Sequence, residues 1–305
     1  QGGIPIPHFF RCIGADKTRR EMRLYSIEAG NFKLDGGAMF GVVPKALWQK
    51  TNPADSQNRI DMAARSLLIE NEGRLILIDT GLGNKQSEKF FSRYGLWGAH
   101  CLETSLAACG FSKDEITDVV FTHLHFDHCG GAIKRRSDGQ LIPNFPNAQF
   151  WCHEDHWDWA SHPNPREKAS FLPENIRPIQ DSGQLCFLKG NAEELINTPL
   201  GIDFLVVNGH TEKQLLPKLN YHGKTLLFAA DLVPTAGHVP LAYVMGYDTR
   251  PLLTIKEKAK VLQRASDNDW FLFLQHDPYN EIITLQETDR GIRLANSLKF
   301  DSLFT

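Results

Sequence analysis

The sequence predicts a mixed fold of the α/β or α+β class, on three observations. Short apolar runs recur along the chain, glycine and proline turns separate them, and a few amphipathic segments stand between them, which an all-helical bundle does not produce. With 305 residues, 42% hydrophobic and 23% charged, the chain has the composition of a globular protein and the length for a sizeable core. Its chemically distinctive stretches are spread along it. One domain over residues 1–305 is therefore expected, with residues 1–60 supplying amino-terminal loops and strands.

The elements follow in order. Apolar runs bounded by turn residues predict strands at residues 24–27, 64–70 and 74–79. Between the first two, Gly36, Gly37 and Gly41 permit a tight loop, and Met39 and Phe40 within it either pack in the core or form an apolar wall over a cleft. A helix over 100–109, stopped by Gly110, leads to a strand at 119–122. After a strand at 149–152 the pattern becomes irregular through about residue 180. Trp151 reads as the strand's end, His153, His156 and Trp157 as one face of a short helix, and Pro163, Pro165 and Pro173 as interruptions. Strands at 202–207, 224–230 and 270–275 complete the series. A helix over 252–265 precedes the last, capped by Asp248 or Thr249 with Pro251 near its first turn.

The chemistry concentrates in T-H-L-H-F-D-H at residues 122–128, directly after a predicted strand. Alternation along an extended chain puts His123, His125 and Asp127 on one side, and a turn brings His128 round beside them. Four donors on so short a loop converge poorly on one ion. Two ions sharing ligands, roughly 3.5–4 Å apart, accommodate them. Imidazole and carboxylate suit zinc, with iron or manganese as substitutes.

This H-x-H-x-D-H segment resembles that of the metallo-β-lactamase-fold hydrolase superfamily, and four further stretches share the resemblance in the same order. They are R-L-I-L-I-D-T-G ending at Gly81, F-L-V-V-N-G-H-T ending at Thr211, L-L-F-A-A-D ending at Asp231, and F-L-F-L-Q-H-D ending at Asp277. The resemblance implies a four-layer αββα sandwich. It implies one metal held by His123, His125 and His210, a second by Asp127, His128 and His276, and Asp231 bridging them. Asp79 is expected behind a ligand imidazole. Asp277 is either another such partner or a turn carboxylate. Residues 151–180 are expected to cover the cleft as an insertion, with Trp157 either a substrate wall, beside Met39 and Phe40 if those face the cleft, or an aromatic packed on the sandwich. His153, His156 and His162 are not expected to be ligands.

The implied activity is hydrolysis by a metal-bridging hydroxide attacking an ester, lactone or phosphotriester, nearest to the lactonase and methyl-parathion-hydrolase branch, with Asp127 or Asp231 moving the proton. His125 stands where flavodiiron relatives carry glutamate, which favours hydrolysis. The sequence departs from acyl-homoserine-lactone lactonases in lacking a tyrosine just after Asp231, so Tyr243 or Tyr247 would have to assist from elsewhere. A glyoxalase II-like thioesterase and an iron-dependent oxidoreductase of the same fold are the alternatives.

Net charge is −3, which gives no footprint for nucleic acid or a membrane surface, and Lys134, Arg135 and Arg136 read as a solvated turn. The cysteines at 12, 101, 109, 129, 152 and 186 lack C-x-x-C spacing and read as small thiols in a reducing compartment, with Cys129 packed behind the motif. No run reaches the ~18 apolar residues of a membrane span. No leader is visible ahead of the fold, although Gln1 in place of methionine is compatible with processing. A cytoplasmic protein with a small-molecule substrate is expected, with a homodimer as one oligomeric form.

Overall fold

The computed structural model describes residues 22–304, so Gln1 and Cys12 lie outside the described residues. The amino-terminal half contains β1 (Arg23–Asp35), α1 (Gly36–Phe40), α2 (Lys45–Trp48), β2 (Arg59–Asn71), β3 (Arg74–Ile78), α3 (Glu88–Phe91), α4 (Leu102–Ala108), β4 (Asp118–Val120), α5 (Phe126–Cys129), β5 (Ile133–Arg135), β6 (Leu141–Pro143) and β7 (Gln149–His153). The remainder runs through α6 (Glu154–Ser161), α7 (Pro173–Asp181), β8 (Leu185–Leu188), β9 (Glu194–Leu195), β10 (Asp203–Val207), β11 (Gln214–Tyr221), β12 (Lys224–Phe228), α8 (Pro251–Asp267), β13 (Phe271–Phe273), β14 (Ile282–Thr288) and β15 (Gly291–Leu298).

Two large sheets form, ordered β1-β2-β3-β4-β7-β8 and β15-β14-β13-β12-β11-β10-β9, and β5 and β6 make a small hairpin. Successive side chains of a strand point to opposite faces, and the burial follows that period. Leu67, Ile69, Ile76, Ile78 and Val120 of the first sheet enter one core with Phe204, Leu216, Leu227 and Leu272 of the second. Leu68, Leu77 and Val119, one residue out of phase, pack instead with Leu102 and Leu106 of α4 and Ile176 and Ile179 of α7. Val261, Leu262 and Ala265 of α8 bury against the second sheet. The result is the four-layer αββα sandwich.

Topology decides where the strand ends meet. β3, β4, β7 and β8 run parallel, so the residues after Ile78 and Val120 emerge at one edge. In the second sheet β10 and β12 are both antiparallel to β11, and β13 is parallel to β12, so these three strands also end together. Backbone bonds stitch the two edges, from Ala63 N to His276 O (3.0 Å), Arg65 N to Gln275 O (3.0 Å) and Leu215 N to Thr122 O (2.9 Å).

The glycine pair after the motif has a steric reason. Thr80 N donates to His128 O at 2.7 Å and Gly131 N to Gly81 O at 3.0 Å, so the loops after β3 and α5 lie backbone to backbone. A Cβ on Gly130 would stand 2.1 Å from Leu82 O, and one on Gly131 2.2 Å from Thr80 O, so only glycine allows the approach.

Several expectations change. The strand read at 24–27 runs over thirteen residues as β1, hairpinned to β2 across a register shift between Glu28 and Asn31. Strands β8, β11, β14 and β15 were not anticipated, and β11 carries Pro217, Lys218 and Asn220, which obscure its period. Asp248 and Thr249 do not cap α8. Arg250 occupies that position without a side-chain cap, and Asp248 is engaged elsewhere.

Candidate metal centre

Each strand end at the shared edge delivers one part of the site. The loop after β4 and the first turn of α5 carry His123, His125, Asp127 and His128, the loop after β10 carries His210, the turn after β12 carries Asp231, and the segment after β13 carries His276. Ala230, just before Asp231, is buried and holds φ +41°, a costly backbone for a residue with a Cβ. Its position fixes where the Asp231 carboxylate points.

The donors fall into two groups that can each hold a cation, His123, His125, His210 and Asp231 in one and Asp127, His128 and His276 in the other. In the first, His125 Nδ1 lies 2.9 Å from His123 Nε2 and 3.2 Å from His210 Nε2. In the second, the Nε2 atoms of His128 and His276 are 3.2 Å apart, with Asp127 Oδ2 3.7 Å from each. Asp231 reaches both, Oδ2 at 3.0 Å from His210 Nε2 and Oδ1 at 3.0 Å from His276 Nε2. Three ring nitrogens facing one another cannot all be satisfied by hydrogen bonds among themselves. Two nitrogens on one zinc, each about 2.0–2.1 Å from it at a tetrahedral angle, are separated by about 3.3 Å. The spacing therefore fits ligands sharing a cation.

The outward ring nitrogens are held in ways that leave the inward lone pairs free. His128 Nδ1 lies 2.9 Å from Asp79 Oδ2, His210 Nδ1 2.9 Å from Asp248 Oδ1, and His276 Nδ1 2.8 Å from Ala63 O. Thr122 Oγ1 donates to Asp79 Oδ2 at 2.8 Å and stands 3.1 Å from His123 Nδ1, whose N–H it can accept. Asp79 is buried, at φ +57°, and also accepts from Thr122 N at 2.8 Å and Gln275 Nε2 at 3.0 Å. Asp277 has the turn role instead, accepting from Ala236 N, Tyr279 N and Asn280 N.

The charges are strongly coupled. Burial holds His123 and His125 below the ordinary histidine value, with neighbouring imidazoles acting in the same direction. Burial also opposes charge on His128 and His210, but Asp127 and Asp231 carry His128 well above that value, and Asp231 with Asp248 pushes His210 up to about 10. Burial raises Asp231, yet His128, His276 and His210 outweigh it and hold the carboxyl well below its usual range. A carboxylate so placed is matched to cations.

A cavity of about 290 Å³ opens over this edge. Met39, Met62 and Met245 give it a pliable apolar wall, Tyr94 and Tyr247 bring phenols, and Arg166 stands at its side. Two of the candidate wall residues lie elsewhere. Phe40 is fully buried, stacked on Trp48 at 5.3 Å and on His238 at 4.2 Å. Trp157 packs in the core beneath the first sheet against Phe187. Within residues 151–180, it is Arg166, Glu167, Ala169 and Ser170 that line the cavity, because α6 and α7 turn inward on the sandwich and leave only the connection between them facing it. Tyr247 lies in the cavity, and Tyr243 lies outside it.

His153 and His156 are buried and hydrogen-bonded, His156 accepting from Leu124 N at 2.8 Å, and His162 is exposed. Cys129 points to Leu124 O at 3.3 Å, and burial pushes its thiol up to about 12, so it does not compete as a thiolate ligand. Glu167 and Asp248 escaped the sequence reading. Glu167 sits in a proline-broken connection, and Asp248 precedes a helix where a cap is the ordinary explanation.

The family profile described as Metallo-beta-lactamase superfamily matches residues 60–276. The fold is similar to a crystal structure of a probable metal-dependent hydrolase from Staphylococcus aureus, at 26% identity and TM-score 0.80 over 92% of this chain and 99% of that one. It is also similar to AidC, a dizinc quorum-quenching lactonase, at 21% identity and TM-score 0.74 over 92% of this chain and 96% of that one. The hydrolase AbOPH gives 20% identity and TM-score 0.70 over 92% and 95%. Among the described residues, no helix is long and apolar enough to cross a membrane.

Proposed function

The chain belongs to the metallo-beta-lactamase superfamily, and from that premise we propose that this metal-dependent hydrolase works with two zinc ions on an ester, lactone or phosphotriester bearing an apolar substituent. The observation that carries the reading is the convergence of His123, His125 and His210 ring nitrogens at 2.9–3.2 Å beside Asp231. When bound, the two cations supply a water acidified towards a pKa of about 7 and polarise the scissile carbonyl or phosphoryl group.

The protein's own residues do the rest. Asp79, Asp248 and the Ala63 carbonyl hold imidazoles in fixed orientation, so little reorganisation accompanies the reaction. Asp127 both belongs to the second donor group and lines the cavity, which supports a role for its carboxylate in taking up the proton of the attacking water. Burial raises the phenols of Tyr94 and Tyr247, which stay protonated near neutrality and can donate to a developing oxyanion. The three methionines accommodate an alkyl or acyl arm.

Metal analysis of the purified protein, with a panel of lactones, aryl esters, thioesters and phosphotriesters on the zinc-reconstituted form, tests the proposal. Two zinc equivalents and cleavage abolished by chelation support it, and redox-active iron with oxygen uptake overturns it. Asp127→Asn is expected to lose most turnover. Full turnover with both metals retained would remove Asp127 from the proton path.

A further inference from the structure

The connection between α6 and α7 does more than line the cavity. Glu167 is only 2% exposed, and its Oε2 accepts from Trp159 Nε1 at 2.7 Å and Asn164 Nδ2 at 2.6 Å, which fixes the carboxylate. Its other oxygen, Oε1, is buried without a hydrogen-bond partner, as is His125 Nε2, and the two face each other at 3.5 Å. The ring of Phe171 packs on His125 at 4.8 Å. One residue earlier, Arg166 Nη2 donates to the carbonyls of Gly246 and Asp248, and Asp248 Oδ1 is the atom beside His210 Nδ1. Consecutive residues of one segment thus reach behind two imidazoles of the same donor group. The outward partners of His128 and His276 are Asp79 and Ala63, which belong to the sandwich itself.

We propose that Glu167 is a positioning residue for His125, and that through it residues 164–171 set the cation affinity of the His123, His125, His210 and Asp231 group while leaving the other group unaffected. This rests on the two-metal reading above. A carboxylate at Oε1 selects the tautomer with the proton on His125 Nε2, which leaves the Nδ1 lone pair directed at His123 Nε2 and His210 Nε2. The other four imidazoles already have an outward partner within 2.8–3.1 Å. His125 depends on this segment for its own.

The test uses the zinc-loaded full chain, with Glu167→Gln, Glu167→Ala and, as a milder change, Trp159→Phe, which removes one donor to Glu167. Zinc per chain is followed against graded chelator, and long-range proton–nitrogen correlations of the imidazoles show which histidines lose the ion. Both Glu167 variants are expected to keep one equivalent at wild-type affinity and to bind the other about 10–100-fold more weakly. The affected resonances are expected to be those of His123, His125 and His210, and Trp159→Phe is expected to shift the same equivalent by less. Folded variants that hold both equivalents as tightly as wild type, or weaken both alike, overturn the proposal. A wild-type chain binding fewer than two ions overturns the two-metal reading beneath it. If Glu167→Ala fails to fold, the near-isosteric Glu167→Gln and Trp159→Phe decide the matter by the same criteria.

Discussion

At the level of single residues, the site is a competition between protons and cations for the same lone pairs. Opposing carboxylates raise His210 from its ordinary 6.5 to about 10, so in the cation-free protein its stabilising charge pair is complete below about pH 6.5 and is lost as pH rises through about 10. A cation must displace that proton, so affinity is expected to increase with pH across this window, by up to about tenfold per unit for each proton released. Competition against a chromophoric chelator at pH 6.5 and 8.5, corrected for the chelator's own titration, measures this, and an unchanged affinity would contradict it. The residues legible in the sequence were those with a local pattern. His123, His125, Asp127 and His128 announce themselves by spacing, and Asp79, His210, Asp231 and His276 by the ordered resemblance of the apolar runs they end to those of the superfamily. Glu167 and Asp248 have no such mark, because their partners are 42 and 38 positions away and are brought near only by folding.

At the level of elements, alternation explains both what was predicted and what was mistaken. Strands β3, β4, β10 and β12 bury both faces or carry unbroken apolar runs, and their positions were read to within a few residues. The edge hairpin of β14 and β15 exposes much of one face and looks polar along the chain. Phe40 and Trp157 were each open to two readings, a cleft wall or core packing, and the structure takes the second. An aromatic side chain beside a glycine-rich loop or on a short helix can face either a cleft or the core, and one-dimensional patterning does not distinguish the two. Since Phe40 is stacked between Trp48 and His238, Phe40→Ala is expected to cost about 3–5 kcal/mol of stability. Urea unfolding of the metal-loaded protein would register the loss, and metal content is expected to stay at two ions per chain. Loss of bound metal without loss of stability would return Phe40 to the site.

For the molecule as a whole, the metal centre is also a clamp. The seven donors come from four strand ends drawn from both sheets, so a cation bound among them joins the two halves of the sandwich where few backbone bonds do. Binding to the folded state alone stabilises by about 4 kcal/mol at a thousandfold excess over Kd. Chelation is therefore expected to lower the melting temperature by on the order of 10 °C, reversibly on adding zinc, a shift that thermal scans with and without chelator would read directly. An unchanged melting temperature would mean that the edges are held without the ions. By itself, the sequence determined the class of fold, and its resemblance to the superfamily implied the donor set and its division into two groups, because strand period, donor type and the order of motifs along the chain are legible without the fold. Only the tertiary structure decided which aromatics face the cavity, which carboxylates stand behind His125 and His210, and which part of residues 151–180 touches the site. Those outcomes depend on how two sheets and their connections pack, and packing joins residues whose separation along the chain carries no signal.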